Sequence, residues 1–179
     1  MSASAVEQVC DWLDEAVIGL KLCPFAAAPR RAGLVRVTGS QASDDESLLT
    51  DLEVELRRLD AAGPEGLETT LLVVERMLAD FEEFNQFLDL VDGLLHDTGR
   101  EGVYQVASFH PQYQFADTEP DDPGNLTNRS PWPVLHVIRE ASIDAALARE
   151  EDTSSISERN IETMRNLSDA KRRRLFHDR

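Results

Sequence analysis

The sequence predicts an α/β or α+β fold: a single-domain sandwich with a sheet of roughly four strands and helices packed on it. Three observations carry this expectation. Segments with apolar residues at helical spacing alternate with short segments of strand pattern along most of the chain. The run TTLLVV at residues 69–74 is β-prone and apolar on both faces, as in a strand covered from both sides. At 179 residues the chain can bury a core without staples.

The elements follow in order. Val6, Val9, Cys10, Leu13, Val17 and Leu20 recur at helical spacing, with Glu7, Asp11 and Asp14 off that stripe. Cys23-Pro24 marks the end of this first helix, because the residue before a proline is pushed out of the helical region. Residues 22–31 (LCPFAAAPRR) read as a loop, and residues 33–38 (GLVRVT) as a short strand. Ser43 and Glu46 have the spacing of a capping box, with Ser43 as the cap. They open a second helix carried by Leu48, Leu49, Leu52, Leu56 and Leu59, which stops in the turn residues 63–66 (GPEG). Residues 69–74 form the central strand.

Asp80, with Glu83 in the capping-box position, begins a third helix. Its stripe of Phe81, Phe84, Phe87, Leu88, Val91, Leu94 and Leu95 is core. Residues 102–109 are the third strand and residues 134–138 the fourth, entered through Pro133, since proline is tolerated at a strand's first residue. Residues 143–149 suggest a short helix. Residues 157–168 suggest a better one, with Ile161, Met164 and Leu167 in register. One globular domain is expected over residues 1–168, with the basic tail 169–179 frayed and solvated.

Composition narrows the function. A net charge of -16 opposes binding to nucleic acid or to an anionic membrane. Two cysteines, Cys10 and Cys23, are too few for a disulfide scaffold. No basic region followed by an apolar run opens the chain, and no apolar run is long enough to span a bilayer. A cytoplasmic protein with reduced thiols is the expectation. The residues leave the cofactor unknown.

Right-handed crossovers would make the first three strands parallel, so that their C-terminal ends share one edge. Open α/β sheets bind ligands at such an edge. Thr38-Gly39, Glu75-Arg76 and His110 would lie there, and so would the start of the long segment that fills residues 105–136. That segment begins and ends as strand. Between its ends it has no period and gathers prolines, carboxylates, Tyr113 and Trp132. Loops of this length in compact domains are functional or disordered.

His110 is the candidate general base or metal ligand there, with Asp117 as its carboxylate partner. Its alternative is a structural histidine that ties the loop to the sheet. Arg129 and Asn128, with Tyr113, are candidates to hold a small anionic ligand. Arg129 pairing with a nearby Asp is the alternative. His136 shares a strand face with Val134 and Ile138, so it is either a satisfied core histidine or a partner of His110. His110, His136 and Asp117 (or Glu119, Asp121 or Asp122) would make a metal set, although no H-E-x-x-H spacing is present. The run DTEPDDPG also reads as turn chemistry. Cys23 precedes the first strand and is expected near the sheet edge opposite His110, which favours a structural role. G-x-S-x-G, P-loop, G-x-G-x-x-G and C-x-x-C motifs are missing.

The blocks LKLCPFA at residues 20–26, SFHPQYQFAD at 108–117 and PDDPGNLTNRSPWPVLH at 120–136 resemble a bacterial domain-of-unknown-function family, numbered 1415. The resemblance spans nearly the whole chain. It implies a bacterial cytosolic protein and supplies no catalytic roles. Two functions fit the residues. One is a small-molecule enzyme, a hydrolase or a metal-assisted enzyme, with its site on residues 105–136. The other is a non-catalytic binding or interaction module that uses the aromatic loop, with Tyr113, Phe115 and Trp132 as its patch.

Overall fold

The computed structural model describes residues 3–148 and 155–176. Its sheet has four strands: β1 (Val35–Ser40), β2 (Thr69–Val74), β3 (Tyr104–Phe109) and β4 (Val134–Arg139). The order across the sheet is β1-β2-β4-β3. β1 and β2 are parallel, and β4 is antiparallel to both β2 and β3. The first three strands therefore run the same way, and β4 is wedged between β2 and β3. Side-chain character explains that order. Every residue of β2 is buried, as are Val134, Leu135 and Val137 of β4, whereas β1 and β3 are half-exposed.

Helices cover both faces. α1 (Ala5–Trp12) continues into a π-helical stretch, Leu13–Ile18, and packs on Leu71, Val73 and Val134. The short α2 (Ala27–Arg31) lies within the segment expected to be a loop. α3 (Asp45–Gly66) and α4 (Phe81–Asp97) cover the opposite face, on Leu72, Val74, Leu135 and Val137. After β4 come α5 (Glu140–Leu147), α6 (Ile156–Arg165) and α7 (Asp169–Leu175). Residue 149 of the helix expected at 143–149 lies outside the described residues.

Local chemistry sets the boundaries. Ser4 and Glu7 cap α1 reciprocally: the Glu7 amide donates to Ser4 Oγ at 3.2 Å, and the Ser4 amide to Glu7 Oε2 at 2.7 Å. The cap of α3 is Asp44 rather than Ser43. Asp44 is the residue with extended backbone, and its carboxylate accepts from the Ser47 amide at 2.9 Å. Asp80 caps α4, accepting from the amides of Glu82 and Glu83 at 2.9 and 3.0 Å. Gly63, at φ 64°, breaks α3 just before Pro64, where the turn was expected. In the π stretch the Gly19 amide reaches Asp14 O at 3.1 Å and the Leu22 amide reaches Val17 O at 2.9 Å, both five residues back.

Within the basic segment, Ser168 caps α7, whose Leu175 and the following Phe176 pack against the α1 cluster. Arg174 pairs with Glu15 at 3.5 Å. The segment expected to fray is thus a docked helix up to residue 175, and residues 177–179 lie outside the described residues.

Candidate functional site

His110 leaves β3 and is completely buried. Its Nδ1 accepts from the Gln112 amide at 3.0 Å, so Nε2 carries the hydrogen and donates to Leu78 O, also at 3.0 Å. The ring lies 5.4 Å from that of Phe81 and 5.1 Å from that of Phe84. Burial lowers its pKa below the ordinary value. Both nitrogens are occupied by main chain, so the geometry is that of a histidine tying the loop to the β2–α4 connection. Asp117 is exposed, at φ 63° in a turn closed by the Thr118 amide on Phe115 O at 3.3 Å. Aspartate tolerates this left-handed backbone better than most residues.

His136 occupies the other face. It is opposite Leu71, which packs under α1, whereas His110 packs on Phe84 of α4. Thr69 Oγ1 donates its one hydrogen to Val137 O at 2.5 Å, so His136 Nε2 donates to Thr69 Oγ1 at 2.8 Å. Burial pushes its pKa down to about 4. The sheet separates the two histidines. Among the described residues no group of three or more His, Cys, Asp or Glu side chains could hold a metal ion. The metal set of His110, His136 and Asp117 therefore does not assemble.

The loop is built on Asn125, which is fully buried. Its Oδ1 accepts from the Phe115 amide at 2.9 Å and Thr118 Oγ1 at 3.0 Å, and its Nδ2 donates to Glu119 O at 2.9 Å. A 3-10 turn, Pro123–Asn128, follows. Asn128 joins this turn to β3 through Nδ2 on Ser108 O at 3.3 Å, and its own carbonyl accepts from the His110 amide at 3.2 Å. Tyr113 stacks between Phe81 (5.1 Å) and the exposed Phe115 (5.0 Å). Arg129 is not paired with an Asp: Nε donates to Tyr113 O at 3.2 Å and Nη2 to Pro120 O at 2.7 Å. Carbonyls fix the guanidinium but leave its charge uncompensated, and Nη1 bonds nothing among the described residues.

Arg129 faces a cleft of about 370 Å³ on the α1 side of the sheet, at the edge where β1, β2 and β3 end. The two ends of the long loop supply Pro111, Arg129, Ser130 and Pro131. α1 and its π continuation supply Gln8, Asp11, Trp12 and Glu15, and the α7 end supplies Arg174, Leu175 and Phe176. Trp12 stacks edge-on against Phe109 at 5.1 Å, and the Trp132 indole donates to Gln8 Oε1 at 3.1 Å. The walls of this cleft include α1 and α7 residues that lie outside the long loop. Gln8, Asp11, Trp12 and Glu15 share one helical face, which was legible as spacing. The docking of α7 was signalled only by Ser168 and the Leu175-Phe176 pair.

Cys23 is half-buried against the α1 cluster. That cluster also holds Phe109 and Trp132, and the neighbouring Leu22 belongs to a small cluster with Leu126 of the 3-10 turn and Met164 of α6. Residues 4–174 match the model of a family described as a protein of unknown function, DUF1415. No curated protein and no solved structure matches the chain.

Proposed function

The chain belongs to the DUF1415 family, and from the chemistry of its residues we propose that it binds a small carboxylate- or phosphate-bearing molecule in the cleft beside Arg129. The observation that carries this reading is the state of Arg129. A guanidinium held by two carbonyls, with no carboxylate partner, is pre-organised for a two-pronged contact with an anion. Trp12, Pro111, Pro131 and Phe176 offer apolar surface for the rest of the molecule. Arg174 is paired with Glu15, so among the described residues Arg129 is the cleft's unpaired cation, with the Asp11 carboxylate also in the lining, which favours a ligand with one anionic group over a polyanion.

The enzymatic version of this reading keeps the cleft and moves the acid/base role from His110 to Asp11. The cleft's two carboxylates are Asp11 and Glu15, and Glu15 is paired with Arg174. The aromatic-interface alternative loses Trp132, whose indole turns inward to Gln8. Calorimetric titration with phosphate, citrate and glutamate tests the proposal. At least one should bind saturably, and Arg129→Gln should weaken it about tenfold or more, as expected for a charge-assisted pair worth roughly 1.5–3 kcal/mol. Arg129→Lys, which keeps the charge without the fork, should fall between. Absence of binding by all three, or unchanged affinity in a folded Arg129→Gln protein, would overturn it.

A further inference from the structure

β1 forms one end of the sheet and pairs only with β2. The Thr69 amide bonds Leu34 O at 3.3 Å and the Glu75 amide bonds Ser40 O at 3.2 Å, so the even-numbered residues of this segment turn their main chain toward β2. Val35, Val37 and Gly39 turn theirs outward, where no partner meets them among the described residues. The free edge lies in a shallow groove floored by Val35, Arg36 and Val37, with Arg30 on one wall and Arg58 on the other. Buried Glu55 is shared by Arg36 (2.9 Å) and Arg58 (3.4 Å), and Arg30 grips Asp14 at 2.8 Å. Around Val35 and Val37 three guanidinium groups meet two carboxylates, which leaves that stretch of the groove net positive on a molecule of charge -16; the Glu75 carboxylate adds its negative charge at the Gly39 end. Screening over about 8 Å at physiological salt lets this local charge decide what binds at contact.

We infer that the β1 edge is a strand-addition site for an extended segment of a partner protein in which acidic and apolar residues alternate. An incoming strand would complete the ladder at Val35, Val37 and Gly39. Its alternate side chains would meet different surroundings. One face would lie beside Val35 and Val37, which belong to the α1 cluster. The other would lie beside Arg36, bonded to Glu55 of α3, and Arg58. A second copy fits less well, because its own β1 would bring Arg36 against the same arginines.

The test uses a blocked, fluorescein-labelled peptide of alternating glutamate and valine, with a lysine-valine peptide as its counterpart. Anisotropy should show saturable, salt-sensitive binding of the acidic peptide, at least tenfold tighter than the lysine peptide. The bound peptide should slow exchange of the Val35, Val37 and Gly39 amides, a readout that needs no mutation. Arg58→Glu on the exposed helix surface, and Val37→Pro, which removes an outward amide, should each cost at least tenfold in affinity. Equal binding of the lysine peptide, unprotected edge amides, or a dimer of the chain that Val37→Pro dissociates would overturn the inference. The site is separate from the Arg129 cleft, and either can fail without the other.

Discussion

His136 is neutral in the folded protein because its ring sits among the strands with Nε2 on Thr69. Its folded pKa of about 4 lies below the unfolded value of about 6.5. The unfolded chain therefore binds the extra proton first, and stability is lost as pH falls from about 6.5 toward 4. The whole effect amounts to at most about 3 kcal/mol. Urea titrations at pH 7.5 and 5 should show this loss, and His136→Gln should flatten most of it. Burial shifts His110 the same way. His110→Ala should destabilise by roughly 2–4 kcal/mol, since it opens a cavity beside Phe84 and leaves Leu78 O without its donor. The sequence placed His110 at the strand end and named both of its roles. Its contacts with Leu78 and Phe84 were not legible, because only the fold brings those residues to it.

The element with the least ordinary geometry is the π stretch Leu13–Ile18. It carries Glu15 into the cleft and ends at Gly19. A Cβ on Gly19 would stand 2.3 Å from the Glu15 carbonyl, so only glycine fits behind the widened turn. Gly19→Ala should cost roughly 1–3 kcal/mol in chemical denaturation and should weaken ligand binding, because the turn must rewind to relieve the clash. Helical spacing announced this segment, but a π stretch has nearly the same apolar stripe as an α-helix and could not be told from it. The β2 run was legible to the residue because its burial on both faces wrote a continuous apolar string. β1 was placed two residues early, since Gly33 and Leu34 continue its alternation. α7 was missed because three arginines mask a single apolar pair.

For the whole molecule, 34 acidic residues against 18 basic ones make self-repulsion a standing cost. Raising NaCl from about 0.01 M to about 0.3 M should raise the melting temperature by screening it. Flat or falling stability over that range would mean that local ion pairs such as Arg100–Asp60, at 2.8 Å, outweigh the net field. Topology was legible as far as the parallel run of the first three strands. The insertion of β4 between β2 and β3 was not, because it depends on which strand has two apolar faces to bury. The antiparallel pairing of β4 with β3 brings both ends of the long loop to one edge, and the place of β4 beside β2 sets Val134 under α1.

The most direct test follows the indole N–H signals of Trp12 and Trp132 by NMR while phosphate, citrate or glutamate is titrated in. Trp12 lines the cleft and Trp132 is bonded to its wall residue Gln8. Ligand binding at Arg129 predicts saturable shifts of both signals with a common Kd, abolished in Arg129→Gln. Signals that stay fixed, or that move equally in wild-type and Arg129→Gln protein, would contradict it.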